Sequence, residues 1–178
     1  MIALLRILVH KIKKGLSKCL CLNAKDYLFE MQIVGKSIGG GVKVFGPCKI
    51  NSKTVIGDNT VINSMLVIGS GACIIGSYCH LALNLTIITM NHNYKGNGIP
   101  YDDTDIEKPV CIEDFVWLGA NVTILPGVTI GEGAIIQAGS VVRRNIPPLA
   151  LAGGNPAEVF AYRDKNHWDQ MKKEQRFY

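Results

Sequence analysis

His92 is the histidine whose sequence context best suits acid–base chemistry. It lies in the tetrapeptide Asn91–Tyr94, inside a stretch from residue 88 to residue 111 that is rich in Asn, Gly, Asp and Pro. A neutral imidazole, with a pKa of about 6.5, can take a proton from a hydroxyl group near neutral pH, and such base catalysis accelerates reactions by roughly 10² to 10⁴. A solvated loop histidine without a catalytic role is the alternative that the single residue leaves open.

The residues that must position His92 follow a period of six. Fifteen aliphatic residues keep this spacing on either side of the loop: Ile38, Val44, Ile50, Ile56, Ile62, Ile68, Ile75, Leu81, Ile87, Ile112, Leu118, Ile124, Ile130, Ile136 and Val142. A fixed internal period indicates a repeat protein. Six residues provide one short strand and a bend, so each strand can pair with its equivalent one coil away. The period therefore predicts a parallel β-helix with these aliphatic side chains stacked inward.

Small residues often follow the repeated aliphatic position. The glycines at this place are Gly39, Gly57, Gly69, Gly76, Gly119 and Gly131. Glycine adopts positive φ without steric cost, which is useful where a chain turns sharply. We expect the bends of the β-helix at these glycines. The stretch 88–111 keeps no hexad register, so we expect it to leave the coil as a long loop, where binding and catalytic groups are often found.

This pattern resembles the hexapeptide-repeat, left-handed β-helix proteins, in which three hexads make one triangular coil. The resemblance implies an all-β solenoid: a left-handed parallel β-helix of about five coils over residues 38 to about 145, with one long inserted loop, an N-terminal amphipathic helix and a C-terminal helix. The handedness comes from the resemblance, because parallel crossovers are generally right-handed. Members of this family are usually homotrimers with active sites between subunits, which we expect here.

A narrower resemblance, to the galactoside and maltose O-acetyltransferases, covers residues 50 to 160. It rests on residues that occur in the same order: Gly76, Asn84, His92, Trp117, Gly119, Pro126-Gly127, Ile146-Pro147-Pro148 and Gly154-Asn155-Pro156. The resemblance implies transfer of an acetyl group from acetyl-CoA to a hydroxyl group by direct attack, without a covalent enzyme intermediate. This makes the chain an acyltransferase of the EC 2.3.1 type.

The same resemblance assigns roles at the acceptor side. His92 falls on the general base, and Asn84 falls on an asparagine that hydrogen-bonds the acceptor. A coil-corner asparagine in the left-handed region is the alternative for Asn84. The backbone N–H of Ala120 falls on the donor that stabilises the developing oxyanion. Asn91 and Tyr94 are further candidate substrate-binding residues.

At the cofactor side, the resemblance implies a groove between neighbouring subunits for the pantetheine arm. Its expected lining is Trp117, Gly119, Ala120, Ala138 and Gly139, although an interface or core position is the alternative for Trp117. Arg143 and Arg144 fall near the CoA phosphates, and guanidinium groups suit phosphate well. Glu158 departs from the family, which commonly has a basic residue there, so the 3′-phosphate contact is left open; Arg163 follows five positions on.

The chain divides into three segments. We expect residues 1–30 to form a basic amphipathic helix, residues 31–147 the β-helix acyltransferase domain with the loop 88–111, and residues 148–178 a C-terminal extension and helix. Residues 1–22 hold five cations, equal to the formal net charge of +5. They either cap the β-helix or make peripheral contact with an anionic membrane surface. The remaining charge is balanced, so no nucleic-acid partner is expected.

Cysteine and histidine usage argues against a metal centre. The six cysteines lack paired C-x-x-C spacing, so a zinc site is not expected. A γ-type carbonic anhydrase needs three histidines on neighbouring coils, whereas only His80 and His92 lie in the coil region. Reduced cysteines used as small apolar residues fit a cytoplasmic location, with the inner-membrane surface as a variant if the N-terminal helix binds lipid.

The acceptor is the least determined part of the function. Sugars of capsule, O-antigen or exopolysaccharide assembly, often lipid-linked precursors, fit the basic N-terminus best. A streptogramin- or chloramphenicol-type antibiotic acceptor and a non-catalytic β-helix scaffold are the alternatives. The loop acids Asp102, Asp103 and Asp105 either reach acceptor hydroxyls or only solvate the loop; we expect the second.

Overall fold

The structure is a computed structural model that describes residues 31–32 and 34–178. The predicted N-terminal helix of residues 1–30 lies outside them. In chain order the strands are β1 (Ser37–Ile38), β2 (Lys43–Val44), β3 (Cys48–Lys49), β4 (Thr54–Ile56), β5 (Val61–Ile62), β6 (Met65–Ile68), β7 (Cys73–Ile75), β8 (His80–Leu81), β9 (Leu85–Ile88), β10 (Met90–His92), β11 (Asp105–Glu107), β12 (Val110–Ile112), β13 (Trp117–Leu118), β14 (Thr123–Ile124), β15 (Thr129–Ile130), β16 (Ile135–Ile136), β17 (Val141–Val142), β18 (Ala150–Gly153) and β19 (Glu158–Tyr162). One helix, α1, follows at Lys165–Lys173.

Three parallel sheets form the faces of the solenoid. Sheet A has the order β1-β4-β7-β12-β15, sheet C has the order β3-β6-β9-β14-β17, and in sheet B the order β2-β5-β8-β13-β16-β18 ends with the antiparallel β19. Each of five coils contributes one strand to each sheet; coil 3 is β7 to β9, coil 4 is β12 to β14 and coil 5 is β15 to β17. A partial sixth coil consists of Ile146, bridged to Ile130, and of β18.

This architecture confirms the predicted left-handed parallel β-helix, with about six turns instead of about five. The additional turn arises because β18 continues the parallel pairing past residue 147, where the predicted C-terminal extension begins. None of the helices in the described part of the chain is long and apolar enough to cross a membrane.

The core consists of the stacked aliphatic residues. Of the fifteen predicted inward positions, thirteen are buried and Ile38 is half-buried. Ile68 is the exception, because 43% of its surface is exposed. In β6 it is Met65 and Val67 that point inward. The corner before β6 is one residue short, which moves the inward position from Ile68 to Val67, and the prediction for Ile68 was wrong.

Glycine follows the aliphatic position for a reason other than the predicted one. Among the six glycines expected at bends, only Gly69 has a positive φ, of 99°. The remaining five approach the next coil closely: a Cβ atom on Gly76 would lie 2.7 Å from the backbone N of Asp114. The left-handed residues of the A–B corner lie two positions further on and include bulky ones, Tyr78 and Phe115, with φ of 56° and 59°.

The C-terminal segment packs on these two aromatic residues. The Tyr78 and Phe115 rings stack with centroids 5.3 Å apart, Phe177 lies 5.0 Å from both, and Trp168 of α1 meets Phe115 edge-on at 5.8 Å. Asp164 caps α1 by accepting a hydrogen bond from the backbone N–H of His167 at 2.9 Å. The predicted C-terminal helix is confirmed.

Prediction for the coil spacing. We expect Gly76→Ala to destabilise the protein by about 1–3 kcal/mol, because its Cβ would force two backbones apart. Gly40→Ala is the matched control: its Cβ would meet its nearest atom, Asp58 Oδ1, at 3.8 Å. We expect that variant to stay within about 0.5 kcal/mol of the wild type. Urea unfolding followed by circular dichroism measures both, and equal midpoints for the two variants would contradict the stacking argument.

Candidate functional site

The inserted segment forms a β-hairpin, which we call the arm (residues 89–109). It leaves the solenoid at the corner between sheets C and A, after β9, and returns at β12. Its strands β10 and β11 pair antiparallel, with Met90 opposite Glu107, Asn91 opposite Ile106 and His92 opposite Asp105. The sequence indicated that the segment leaves the coil, whereas its hairpin structure was not predicted.

The arm holds His92 through two neighbours. His92 Nδ1 lies 3.0 Å from Asp105 Oδ1, and the Tyr101 ring stacks on the imidazole with centroids 4.1 Å apart and planes within 13°. A carboxylate only accepts hydrogen bonds, so Nδ1 of the neutral imidazole carries the proton and Nε2 keeps its lone pair. Since 56% of the His92 side chain is exposed, this lone pair is open to an incoming ligand.

Sequence reasoning missed Asp105 as the partner of His92. The two residues are thirteen positions apart. The available signal was the cluster of turn residues Gly96, Gly98 and Pro100 in the middle of the inserted segment, which is typical of a hairpin turn. The expectation that the loop acids only solvate the loop was therefore wrong for Asp105.

Glu107 ties the base of the arm to the solenoid. Its carboxylate lies 2.8 Å from Lys53 Nζ and also accepts a hydrogen bond from the Ser70 hydroxyl. These contacts, Lys53 first, lower the pKa of Glu107 below its ordinary value. Alternate residues of a strand share a face, so Glu107 is on the same face of the arm as Asp105. The contact to Lys53 and Ser70 therefore orients the face that carries His92.

Asp102 has a structural role at the tip of the arm. It accepts hydrogen bonds from the Thr104 hydroxyl at 2.6 Å and from the backbone N–H groups of Asn97 and Thr104 at 2.9 and 3.0 Å. The hydroxyl contact is the main cause that lowers the pKa of Asp102. These bonds close the turn, so Asp102 also does more than solvate the loop.

Asn91 and Tyr94 are not brought to His92. Asn91 points to the opposite face of the arm, as the alternation of β10 requires. There it lines a cavity of about 200 Å³ with Tyr94, Lys95, Lys108 and Pro126, among others. The two candidate substrate-binding residues therefore face coil 4, away from the His92–Asp105 pair.

Asn84 belongs to a second group, at the corner between sheets B and C. Asn84, Asn121 and Gly139 occupy equivalent positions on coils 3, 4 and 5, with φ of 59°, 58° and 74°. The left-handed corner position anticipated as one alternative for Asn84 is confirmed. The side chain is also organised: Asn84 Nδ2 donates to Asn121 Oδ1 at 3.2 Å, and the Asn84 backbone N–H donates to Ser64 Oγ at 2.7 Å.

Ala120 lies beside this row with an available donor. Its carbonyl accepts a hydrogen bond from the Gly139 N–H at 2.8 Å, but its own N–H donates to no group within residues 34–178. The equivalent N–H groups of Leu83 and Ala138 are also without an acceptor in that part of the chain. The corner therefore presents a row of backbone donors, to which Ala120 belongs.

The other groove candidates differ in the space they leave. A Cβ on Gly119 would lie 2.5 Å from Ala138 N, so Gly119 is small because the coils stack closely there. A Cβ on Gly139 would meet nothing within 4 Å, so Gly139 borders open space. Trp117 is on the outer face of sheet B, in register with His80 and Ile135, with 51% of its surface exposed. The Trp117 ring is thus neither core nor shielded in the single chain.

Arg143 and Arg144 follow β17 at the corner where the arm emerges. Both are exposed, and neither pairs with a carboxylate in the described part of the chain. Arg163 is engaged at the A–B corner instead, where Nε donates to the Gly133 carbonyl at 2.6 Å and the guanidinium lies 5.2 Å from the Trp168 ring. Burial lowers the pKa of Arg163.

The buried thiols are poor nucleophiles. Burial raises the pKa of Cys73 to about 12 and that of Cys79 to about 11. Both are therefore protonated thiols at neutral pH, and only a thiolate attacks or ligates effectively. This agrees with the expectation that cysteines fill the core.

The two groups of candidate residues are at opposite edges of sheet C within one chain. Asn84 precedes β9 at the B–C corner, and the arm follows β9 at the C–A corner. The four residues of β9 that separate the two corners span about 13 Å, and His92 lies beyond them on the arm. We infer that His92 and Asn84 of one chain are too far apart to act on the same hydroxyl group.

Comparisons with known proteins agree with this architecture. Residues 112–144 match the family described as bacterial transferase hexapeptide (six repeats). One crystal structure of a hexapeptide-repeat-containing acetyltransferase from Vibrio cholerae is 30% identical, with a TM-score of 0.69 over 90% of this chain and 92% of that chain. A second structure of that protein, in complex with acetyl-CoA, is 29% identical, with a TM-score of 0.70 over 79% and 78%.

Two further similarities point to acetyl transfer. A maltose O-acetyltransferase from Clostridium difficile is 27% identical, with a TM-score of 0.63 over 90% of this chain and 89% of that chain. A protein of Saccharomyces cerevisiae that is predicted to be an acetyltransferase is 42% identical over 117 residues, which are 63% of this chain and 57% of that protein. The match thus spans little more than half the length of the yeast relative, and 33% of a similar protein from Staphylococcus aureus.

Prediction for the imidazole. We expect neutral His92 to carry its proton on Nδ1 in the wild type, because Asp105 accepts it. Asp105→Ala should lower the fraction of this tautomer, whereas Asp103→Ala, a neighbouring exposed acid, should leave it unchanged. Long-range ¹H–¹⁵N NMR of the imidazole in its neutral form, recorded at high pH, reads the tautomer directly. A wild-type imidazole protonated on Nε2 would contradict this assignment.

Proposed function

The chain belongs to the hexapeptide-repeat acetyltransferases, and from that premise we propose that it transfers the acetyl group of acetyl-CoA to a hydroxyl group of a sugar. The observation that carries the proposal is the His92–Asp105 pair on the arm, with Nδ1 of the imidazole bound and Nε2 open. An exposed imidazole oriented in this way suits a general base better than a structural histidine, which would satisfy both nitrogens.

The chemical step uses His92 as the base. Nε2 takes the proton of the acceptor hydroxyl while that oxygen attacks the thioester carbonyl carbon and forms a tetrahedral intermediate. The intermediate collapses by breaking the carbon–sulfur bond, and the imidazolium returns the proton to the leaving CoA sulfur. Asp105 stabilises the imidazolium between these two transfers, as the carboxylate of a catalytic triad does.

The corner between sheets B and C provides the groups around the reacting carbon. The N–H of Ala120 donates to the oxygen that becomes negative in the intermediate, a contribution that requires a donor free of other partners. Asn84 hydrogen-bonds the acceptor beside the attacked carbonyl. Support for these roles comes from the N–H of Ala120, which donates to no group within residues 34–178, and from the carboxamide of Asn84, which is held by Asn121.

Acetyl-CoA is the proposed acyl donor, in line with the complex of the Vibrio cholerae relative. The open space beside Gly139, which follows Ala138, admits the thin pantetheine chain, and Trp117 offers an exposed ring on the outer face of sheet B. Arg143 and Arg144 are the cations proposed for the CoA phosphates. Gly119 is not needed for this purpose, because it is occupied by coil stacking.

We propose a homotrimer with active sites between subunits. The separation of His92 from Asn84 in one chain is the support, since a neighbour can place its B–C corner against the arm. In a closed ring each chain uses its arm toward one neighbour and its Asn84 corner toward the other. For residues 1–22, outside the described residues, the two alternatives from the sequence still apply: a cap on the β-helix or a peripheral membrane contact.

The proposed acceptor is a sugar or polysaccharide precursor of capsule, O-antigen or exopolysaccharide assembly. The similarity to a maltose O-acetyltransferase supports a carbohydrate hydroxyl. A panel of maltose, a nitrophenyl galactoside, sugar nucleotides and chloramphenicol, read by release of the CoA thiol, separates the carbohydrate class from the antibiotic class.

Prediction for donor binding and turnover. Acetyl-CoA at about one hundred times its Kd should stabilise the wild type and His92→Ala equally, by about 2.7 kcal/mol, because His92 acts on the acceptor. His92→Ala should lower the rate of CoA release by roughly 10² to 10⁴, whereas His167→Ala, which removes an exposed histidine of α1, should not. Absence of any stabilisation by acetyl-CoA would favour the scaffold hypothesis.

Prediction for the shared site. His92→Ala and Asn84→Gly should each keep only a small, measurable residual rate alone, and glycine keeps the positive φ of Asn84. When the two variants are co-expressed with different tags and purified on both, about one third of the sites in each mixed trimer regain both residues. CoA release should recover to about that fraction. His92→Ala mixed with the double variant is the control and should stay at the residual rate; no recovery in the first mixture would contradict a site shared between subunits.

A further inference from the structure

A short hydrogen-bonded row crosses three coils at the corner between sheets B and C. Ser64 Oγ of coil 2 accepts the backbone N–H of Asn84 at 2.7 Å and lies 3.5 Å from Asn84 Oδ1. On the other side, Asn121 Oδ1 of coil 4 accepts from Asn84 Nδ2 at 3.2 Å. The carboxamide of Asn84 is thus held between a residue of the preceding coil and one of the following coil.

These two contacts orient the Asn84 carboxamide, with Oδ1 toward Ser64 and Nδ2 toward Asn121. The terminal torsion of an asparagine has broad preferences and rotates easily in an exposed side chain. With Nδ2 bound to Asn121, one N–H of Asn84 and one lone pair of its Oδ1 stay available to a ligand. An acceptor hydroxyl, which both donates and accepts, matches that pair.

The backbone does not require the carboxamide of Asn121. Gly139 occupies the equivalent position on coil 5 with a similar positive φ, of 74° against 58° for Asn121. A side chain at Gly139 would meet nothing within 4 Å, so coil 5 does not pack against Asn121 through that position. In residues 34–178, the side chain of Asn121 makes its hydrogen bond to Asn84 alone.

We propose that Asn121 is a positioning residue, which orients the Asn84 carboxamide toward the acceptor hydroxyl. The inference rests on the proposed function, because it gives Asn121 a role only through an acceptor bound by Asn84. It adds Asn121 of coil 4, the residue that follows Ala120, to the residues proposed for the active site.

The test compares two substitutions that both tolerate positive φ. Asn121→Gly deletes the acceptor oxygen, and Asn121→Asp keeps it. With maltose, or another acceptor of the panel that the wild type acetylates, we expect Asn121→Gly to lower kcat/KM for the acceptor about tenfold, the worth of one hydrogen bond. The KM for acetyl-CoA and the urea midpoint should not change, and Asn121→Asp should restore kcat/KM to within about threefold.

A double-mutant cycle with Asn84→Gly separates positioning from a general effect on the corner. If Asn121 acts through Asn84, Asn121→Gly should have no further effect once Asn84 is glycine. An equal loss in both backgrounds, a wild-type rate for Asn121→Gly, or an Asn121→Asp as slow as Asn121→Gly would overturn the inference alone. A wild type that acetylates no acceptor of the panel would overturn the proposed function and this inference with it.

Discussion

The distance between successive coils is the constraint on which the rest of the structure depends. Parallel strands pair about 4.8 Å apart, and every coil must repeat at that distance. At the corners this leaves no room for a side chain directed at the next coil, as the contacts of a Cβ at Gly57, Gly76 or Gly119 show. The same repeat stacks the aliphatic core and aligns equivalent outer positions in rows. Asn84, Asn121 and Gly139 form such a row because they occupy equivalent positions on successive coils. The proposed site uses two members of this row, Asn84 and Asn121.

The arm escapes this constraint and is held by polar contacts instead. It buries little of its own surface, so its geometry depends on the β10–β11 ladder, on Glu107 with Lys53 and Ser70, and on the bonds of Asp102 that close the tip. Each exposed ion pair contributes little, because water and salt screen the two charges. An arm with several such anchors nevertheless holds His92 in a defined place, because Glu107 is on the face of the arm that carries the imidazole.

The period of six predicted the fold almost completely. Most strands of the coils have an inward aliphatic side chain at the repeated position, so the pattern of these residues along the sequence is enough to locate the strands. The prediction was wrong at Ile68. The corner between β5 and β6 is one residue shorter than its equivalents, so Val67 instead of Ile68 takes the inward position. The glycines after the repeated aliphatic positions were attributed to positive φ, whereas five of the six are required by the close approach of the next coil. A glycine in the sequence does not show which of these two causes applies. His92 was recognised from its loop, but Asp105 was not, because the partner is set by hairpin register across the turn.

The division of the proposed site over two edges of sheet C links assembly to activity. In one chain, β9 separates the arm from Asn84, and the ion pair of Glu107 with Lys53 anchors the arm at its own edge of sheet C. Each isolated chain would therefore present two incomplete half-sites, one at each edge. Joining the arm edge of one chain to the Asn84 edge of the next is a head-to-tail contact, which leaves a half-site unused at both ends unless the ring closes. On the proposed function, closure of the ring completes every active site at once.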